Sequence, residues 1–398
     1  MIKVVKNANN NGPLGLYVHV PFCGNACDYC AFYKEAPRRE AVEAWLNGIE
    51  REAELVPLPH PADTFFIGGG TPGILSARDF ERLGKILLKA NYGKAPEEWS
   101  VEMAPASVRP DKMQALADSG VNRISMGVQS FDEATLALLG RRHAPKKIFA
   151  AYETIRQAGF SNVNLDLIFS VPGERASRWH ADLEQAVALA PEHLSTYCLM
   201  LEEDAPLLAR LQASPHFDPA EKSPEREAEL YLQTWEKLAA AGYAQYEIAN
   251  HARAGKRCKH NWNTWQMHSW LGYGPAAASQ CFGKRFANPS DLARWLDGLT
   301  DGIPARCDVV ELDAPMLFAD AIVFGLRLNE GVDLEALARR FFGNSQIPAS
   351  LIDLKARLAE ADYLAENAHR EAGKLALNAR GRLVADAVAE AVLEALDA

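Results

Sequence analysis

No stretch of this 398-residue chain approaches the roughly 18 consecutive apolar residues that a membrane-spanning helix needs. Its opening residues, MIKVVKNANNNGP, carry neither the apolar core nor the small-residue cleavage site of a secretory signal, so a cytoplasmic location is expected. Basic charge is also scarce. The 42 Lys and Arg against 52 Asp and Glu leave a net charge of −10, whereas a chain that grips a phosphate backbone carries a basic footprint. Nucleic acid is therefore not an expected partner. Cysteines number only seven, and in the cytoplasm they are expected as thiols rather than disulfides. No internal repeat is evident. What remains is an ordinary globular composition, 48% hydrophobic and 24% charged, in a chain long enough for one large domain and a smaller one.

From residue 14 to about 200, short β-like runs at 14–20, 63–67, 99–103, 123–128, 162–168 and 193–200 alternate with helical periodicity at 40–56, 76–90, 110–119, 146–158 and 176–190. Such alternation implies an α/β fold with a parallel sheet and right-handed crossovers, either open or curled into a barrel. The Pro-, Glu- and Ala-rich segment 202–228 reads as a loop leading into a helix at 224–241. Residues 250–290 are dense in Trp, His, Gly and Asn. Beyond 308 the chain is mostly helical, with a short strand-like KLALN before a last amphipathic helix, which suggests a winged-helix-like shape. Nine basic against sixteen acidic residues in that tail argue against DNA as its ligand. The expected division is 12–250, a connecting region 251–307, and 308–398.

Four cysteines stand singly, and Cys198, Cys258, Cys281 and Cys307 are expected as buried small apolar groups. Cys23, Cys27 and Cys30 instead share the loop PFCGNACDYC directly after the first strand, which Pro21 ends and Gly24 loosens. Thiolate is the soft ligand that both zinc and iron–sulfur clusters accept. A structural zinc usually takes four protein ligands, often as two separated pairs, and no second pair follows here. Three thiolates can hold three irons of a 4Fe–4S cube and leave the fourth iron open to a ligand.

Chemistry-bearing residues also recur at strand ends, where a parallel α/β barrel builds its sites. Gly68, Gly69, Gly70 and Thr71 follow the second strand, Glu102 ends the third, Gln129 follows the fourth, and Asp166 interrupts an apolar fifth. A glycine run lets backbone approach a ligand closely, and a buried carboxylate needs partners. Singly each is an ordinary turn or hydrogen bond; together they mark one face.

The spacing Cys-x3-Cys-x2-Cys with Tyr29, Phe32 and Tyr33 beside it resembles the signature of the radical S-adenosylmethionine superfamily. Within it, YVHVPFCGNACDYCAF is similar to the family of oxygen-independent coproporphyrinogen III oxidase and its haem-chaperone relatives, and the likeness runs from Leu14 to ARGRLVADAV near the C-terminus. That resemblance implies a partial (β/α)6 radical S-adenosylmethionine barrel followed by a mostly helical winged-helix-like domain. It implies a 4Fe–4S cluster on Cys23, Cys27 and Cys30, and S-adenosylmethionine held by Gly69, Gly70, Thr71 and Glu102 at its methionine end. Arg141 matches a partner for the cofactor carboxylate, Asp166 the acid that takes ribose hydroxyls, and Tyr17, Gln129 and Met200 further contacts. The adjacent Arg142 does not align.

Two functions fit the resemblance: an oxidase that decarboxylates coproporphyrinogen III in porphyrin biosynthesis, or a chaperone that binds haem for acceptor proteins. The oxidase has an extra cysteine where this chain has Phe32, and a longer segment ahead of its cysteines than the 22 residues here. KHNWNTW is similar to the chaperones' His-Asn-x-x-Tyr-Trp pattern, with Thr264 where Tyr is expected. His260 is then a candidate haem ligand, Trp262 and Trp265 a flat apolar wall, and His268 a weaker alternative. The expectation is a haem chaperone, with haem, haem-acceptor proteins and a reductant for the cluster as partners. If the thiol reading is right, anaerobically reconstituted protein carries about four irons per chain, and Cys23→Ala, Cys27→Ala or Cys30→Ala abolishes the cluster's visible absorbance. Stoichiometric zinc without iron would contradict it.

Overall fold

A computed structural model describes residues 12–24, 27–173, 176–214, 217–218 and 222–397. Six parallel strands form its centre: β1 (Leu14–Val20), β2 (Thr64–Gly69), β3 (Glu98–Met103), β4 (Arg123–Gln129), β5 (Val163–Phe169) and β6 (His193–Cys198), paired in sequence order. Their near-continuous burial explains their apolar sequences, since helices cover one face and side chains fill the other. The crossovers are α1 (Arg39–Leu55), α2 (Ala77–Ala90), α3 (Pro110–Ser119), α4 (Glu133–Leu138) with α5 (Pro145–Gln157), and α6 (Ala176–Ala188). Local chemistry places their ends. Ser76 and Asp79 form a reciprocal capping box on α2, Pro110 and Pro145 open α3 and α5, and Gly120 closes α3 at φ 99°.

These strands and helices lie within two residues of the sequence expectation. The short α4, capped by Asp132, was not anticipated, and neither was α7 (Pro206–Gln212) inside the segment expected as a loop. After α8 (Pro224–Ala240), β7 (Ala244–Gln245) and β8 (Asn250–Ala252) extend the sheet antiparallel beyond β6.

Residues 251–307 are more than a connection. After α9 (Lys259–Trp265), β9 (Ser269–Tyr273) lies parallel to β1 on the side opposite β2, with Leu14 opposite Ser269. The strands β10 (Ala278–Cys281), β11 (Lys284–Ala287) and β12 (Cys307–Glu311) continue antiparallel to complete a twelve-stranded sheet. The fully buried Glu52 of α1 ties this part in. Its carboxylate accepts from Gly274 N–H (2.8 Å), Asn288 Nδ2 (2.9 Å), Trp295 Nε1 (3.1 Å) and Arg306 (3.1 Å). Burial pushes its carboxyl above the usual range, and Arg306 opposes that shift.

The C-terminal helices, including Ala314–Gly325, Ala349–Glu360 and Ala385–Asp397, pack a second core around Phe318, Ile322, Leu354 and Val392. Two-residue strands at Val332–Asp333 and Lys374–Leu375 pair antiparallel within it, the second lying in the strand-like KLALN and its partner some forty residues earlier, across three helices. No helix among the described residues is long and apolar enough to cross a membrane.

Gly48 of α1 lies against the Trp295 indole of α10 (Leu292–Thr300), and a Cβ there would overlap the ring. Overpacking of that kind costs about 1–3 kcal/mol. Gly48→Ala is therefore expected to lower the urea midpoint accordingly without changing the slope, despite alanine's higher helix propensity. A stabilised variant would refute this packing.

Candidate cofactor site

Strand pairing between β1 and β2 does not stop where the strands do. Gly70 N–H donates to Val20 O and Thr71 N–H to Phe22 O, both at 2.8 Å, so the glycine loop and the start of the cysteine loop run on as one ladder. A Cβ on Gly70 would stand 2.7 Å from Phe22 O and 3.0 Å from Cys23 Sγ, which is why glycine is required there. The neck of the cysteine loop is closed by Cys23 N–H to Glu35 O (3.1 Å) and Glu35 N–H to Pro21 O (2.7 Å). Lys34 Nζ donates to Cys30 O at 2.8 Å, and Thr71 Oγ1 lies 3.4 Å from Cys23 Sγ.

The three thiols are half-buried and free. Burial raises Cys27 above its ordinary pKa, Arg141 opposes this, and Cys30 and Cys23 push the same way as burial, so the sulfurs feel one another. Among the described residues no three His, Cys, Asp or Glu side chains are grouped tightly enough to hold a single metal ion. A 4Fe–4S cube is a larger body that presents a separate iron to each thiolate. Three soft ligands on one loop, a glycine cradle and an adjacent guanidinium suit such a cluster.

The other expected residues gather around this loop. Gly69 adopts φ +105°, and a Cβ there would lie 2.8 Å from the His19 ring. Glu102 comes within 2.9 Å of where a Cβ of Gly68 would sit. Its pKa is pushed up to about 8, chiefly by burial and then by Asp166, against the Gly69 N–H bond and Arg123. Asp166 accepts from Ser125 Oγ (3.0 Å) and Asn164 Nδ2 (2.8 Å); burial raises its pKa while these donors resist. Gln129 stands at a β-bulge with φ +68°. It and Arg141 both lie over Gly127, where a Cβ would be 2.8 Å from Gln129 Nε2 and 3.6 Å from the Arg141 guanidinium. Arg141 donates to Tyr29 Oη at 2.8 Å, and its buried Nε has no protein partner.

A cavity of about 630 Å³ opens beside Gly69 and Glu102, while Gln129, Arg141, Asp166 and the three thiols are not part of its lining. Tyr17, Gly69 and Glu102 line one part of it, His260, Thr264 and Trp265 another, and Phe32 stands exposed at the wall. His260 is 8% exposed, its Nδ1 2.9 Å from Thr64 Oγ1 and its ring stacked on Phe66 at 5.2 Å. Burial, with a contribution from Arg123, lowers its pKa to about 4, so the imidazole is neutral.

Some expected residues lie elsewhere. Met200 is 72% exposed just past β6. Trp262 turns from the cavity to stack under Arg257 (4.5 Å) beside Tyr246, so only Trp265 of the expected wall faces in. Trp270 of β9 supplies the second indole. His268 is half-buried near Arg340 and Asp63, away from the cavity lining. Of the single cysteines, Cys258 and Cys281 are buried, but Cys198 and Cys307 are only half so. His19 and Phe66 also line the cavity and were not singled out. The signal for His19 was period-2 alternation with Tyr17 on a strand leading into the cysteines. Tyr17 Oη is 3.0 Å from His19 Nδ1, and burial lowers the His19 pKa to about 4.

Fold and cysteine loop together define a radical S-adenosylmethionine protein, and residues 17–186 match that superfamily. The chain is 34% identical over 334 residues to the haem chaperone HemW of Bacillus subtilis, covering 82% of this chain and 86% of the relative. The HemW of Mycobacterium tuberculosis strain H37Rv is 32% identical over 399 residues, 96% and 95% of the two chains. Among solved structures, coproporphyrinogen III oxidase (HemN) from Escherichia coli superposes with a TM-score of 0.80 at 24% identity, covering 98% of this chain and 91% of the oxidase. The chain belongs to the HemW haem chaperone family.

The raised Glu102 carboxyl carries a sign. In the unliganded protein the folded state keeps a proton that the unfolded state releases, so stability falls as pH rises from about 4.5 toward about 8 and levels off above. Glu102→Gln is expected to flatten that decline and to be more stable than the parent at pH 8.5. Urea unfolding at pH 5, 6.5 and 8.5 checks it, and parallel pH profiles would contradict the assignment.

Proposed function

We propose that this chain is a haem chaperone that holds a 4Fe–4S cluster on Cys23, Cys27 and Cys30, S-adenosylmethionine beside it, and haem in the same cavity. What supports the reading most is that the cavity joins the Gly69–Glu102 wall to the His260 helix. Glu102 and the backbone of Gly69 and Gly70 suit an ammonium group and its neighbours, with Thr71 alongside. Arg141, with its unpartnered Nε, suits a carboxylate. Asp166 accepts hydroxyl donors, while Tyr17 and Gln129 supply further contacts. When bound, cluster and cofactor supply one-electron reduction of a sulfonium, driven by an outside reductant.

For haem, His260 is neutral and therefore able to ligate iron. With Nδ1 held by Thr64, Nε2 is the nitrogen left for the metal. Trp265, Trp270 and Phe66 offer apolar faces to a macrocycle, and Phe32 replaces a thiol at the wall with a ring. Haem-acceptor proteins are the partners this function requires.

The test is to supply the reconstituted protein with haem, and separately with coproporphyrinogen III, reductant and S-adenosylmethionine. Haem is expected to bind with a Soret band that His260→Ala shifts and weakens. Coproporphyrinogen III is expected to remain unconverted, and Phe32→Cys alone not to change that. Robust formation of protoporphyrinogen IX would instead establish an oxidase.

A further inference from the structure

His260 does not hold its own position; four neighbouring strands hold it. From β1, Gly15 leaves the space its ring fills, since a Cβ there would lie 3.0 Å from His260 Cε1. From β2, Thr64 bonds Nδ1 and Phe66 stacks on the ring. From β3 comes Glu98, opposite Thr64 in the ladder and 4% exposed. Its Oε1 accepts from His260 N–H (3.1 Å) and the Cys258 thiol (3.5 Å), and its Oε2 accepts from Lys259 N–H (3.1 Å). From β4 comes Arg123, 2% exposed with an unpartnered Nε, whose charged surroundings include Glu98 and Asp166.

We infer that Glu98 is the positioning residue of the haem site: by gripping the first backbone N–H groups of α9, it sets the rotation of that helix and so the direction of the His260 imidazole. This rests on the haem role proposed for His260. Each step is ordinary chemistry. A buried carboxylate must be saturated with donors, and the first amides of a helix lack partners within it. α9 is only seven residues long, so its own hydrogen bonds do little to fix its orientation. Glu98 does not line the cavity, so it acts on a ligand only through His260. Arg123 offsets the charge of Glu98, and it also acts on Asp166, the acid expected to take ribose hydroxyls. One buried cation thus serves both ends of the site.

Two substitutions test this. Glu98→Gln keeps the shape but removes the charge and one acceptor. Lys259→Pro deletes a single N–H at the first helical position, where proline is tolerated, after a Cys258 backbone (φ −70°, ψ 109°) already compatible with it. Lys259→Ala keeps that N–H and is the control. The first readout needs no haem: the imidazole ¹⁵N signals of His260, assigned with His260→Gln. Both test variants are expected to move them, and Lys259→Ala to leave them in place. The second is haem binding, expected to weaken roughly tenfold for loss of a hydrogen bond to a charged acceptor, with a shifted Soret band. Iron content and S-adenosylmethionine affinity stay at parental values. Unmoved His260 signals in a folded Lys259→Pro protein overturn the inference, whatever Glu98→Gln does. If the parent binds no haem, the proposed function fails while the imidazole signals still decide the role of Glu98.

Discussion

The site depends on one ladder. β1 and β2 pair in parallel, and their hydrogen bonds run past the strands into the two loops that follow, so neither loop can shift without the other. Because strand side chains alternate, that register also decides that Tyr17 and His19 face the cavity while Val18 and Val20 enter the core. A slip by one residue would invert this. The loops can therefore be glycine-rich and irregular, and still present thiols and backbone amides in a repeatable arrangement.

A second constraint is electrical. The barrel interior carries Glu98, Glu102 and Asp166, with Arg123 as the guanidinium acting on all three. Such groups are retained against a desolvation penalty only when partners are fixed in place. Here a hydroxyl and an amide serve Asp166, and a thiol and two helix N–H groups serve Glu98. Glu102 is less well served and keeps its proton near neutrality. The poorly satisfied acid is the one a cationic ligand would relieve.

Much of this could be read from residues alone. The barrel strands announced themselves as short β-like runs alternating with helical periodicity, and glycine, acid and cysteine positions followed from where those runs stop. The arrangement around His260 could not be read so directly. Which indole faces the cavity depends on the rotation of α9, and that is set by Glu98, a residue 162 positions away in sequence. β9 was hidden for a related reason: SWLGY is short and contains glycine, and it becomes a strand through pairing with β1. Met200 followed the strand-end pattern, but β6 ends at Cys198 and the chain has left the cavity two residues later.

The pairing of Leu14 with Ser269 has a consequence for how the molecule comes into being. As the ribosome delivers the chain, β1 emerges first, yet its second edge waits until some two thirds of the sequence has followed. Until then an apolar strand with unsatisfied amides is open to any neighbouring nascent chain. Contacts of such long sequence separation also slow the last stage of folding. A truncation before Tyr273 would leave that edge permanently uncovered, so it should yield aggregate rather than a smaller working barrel.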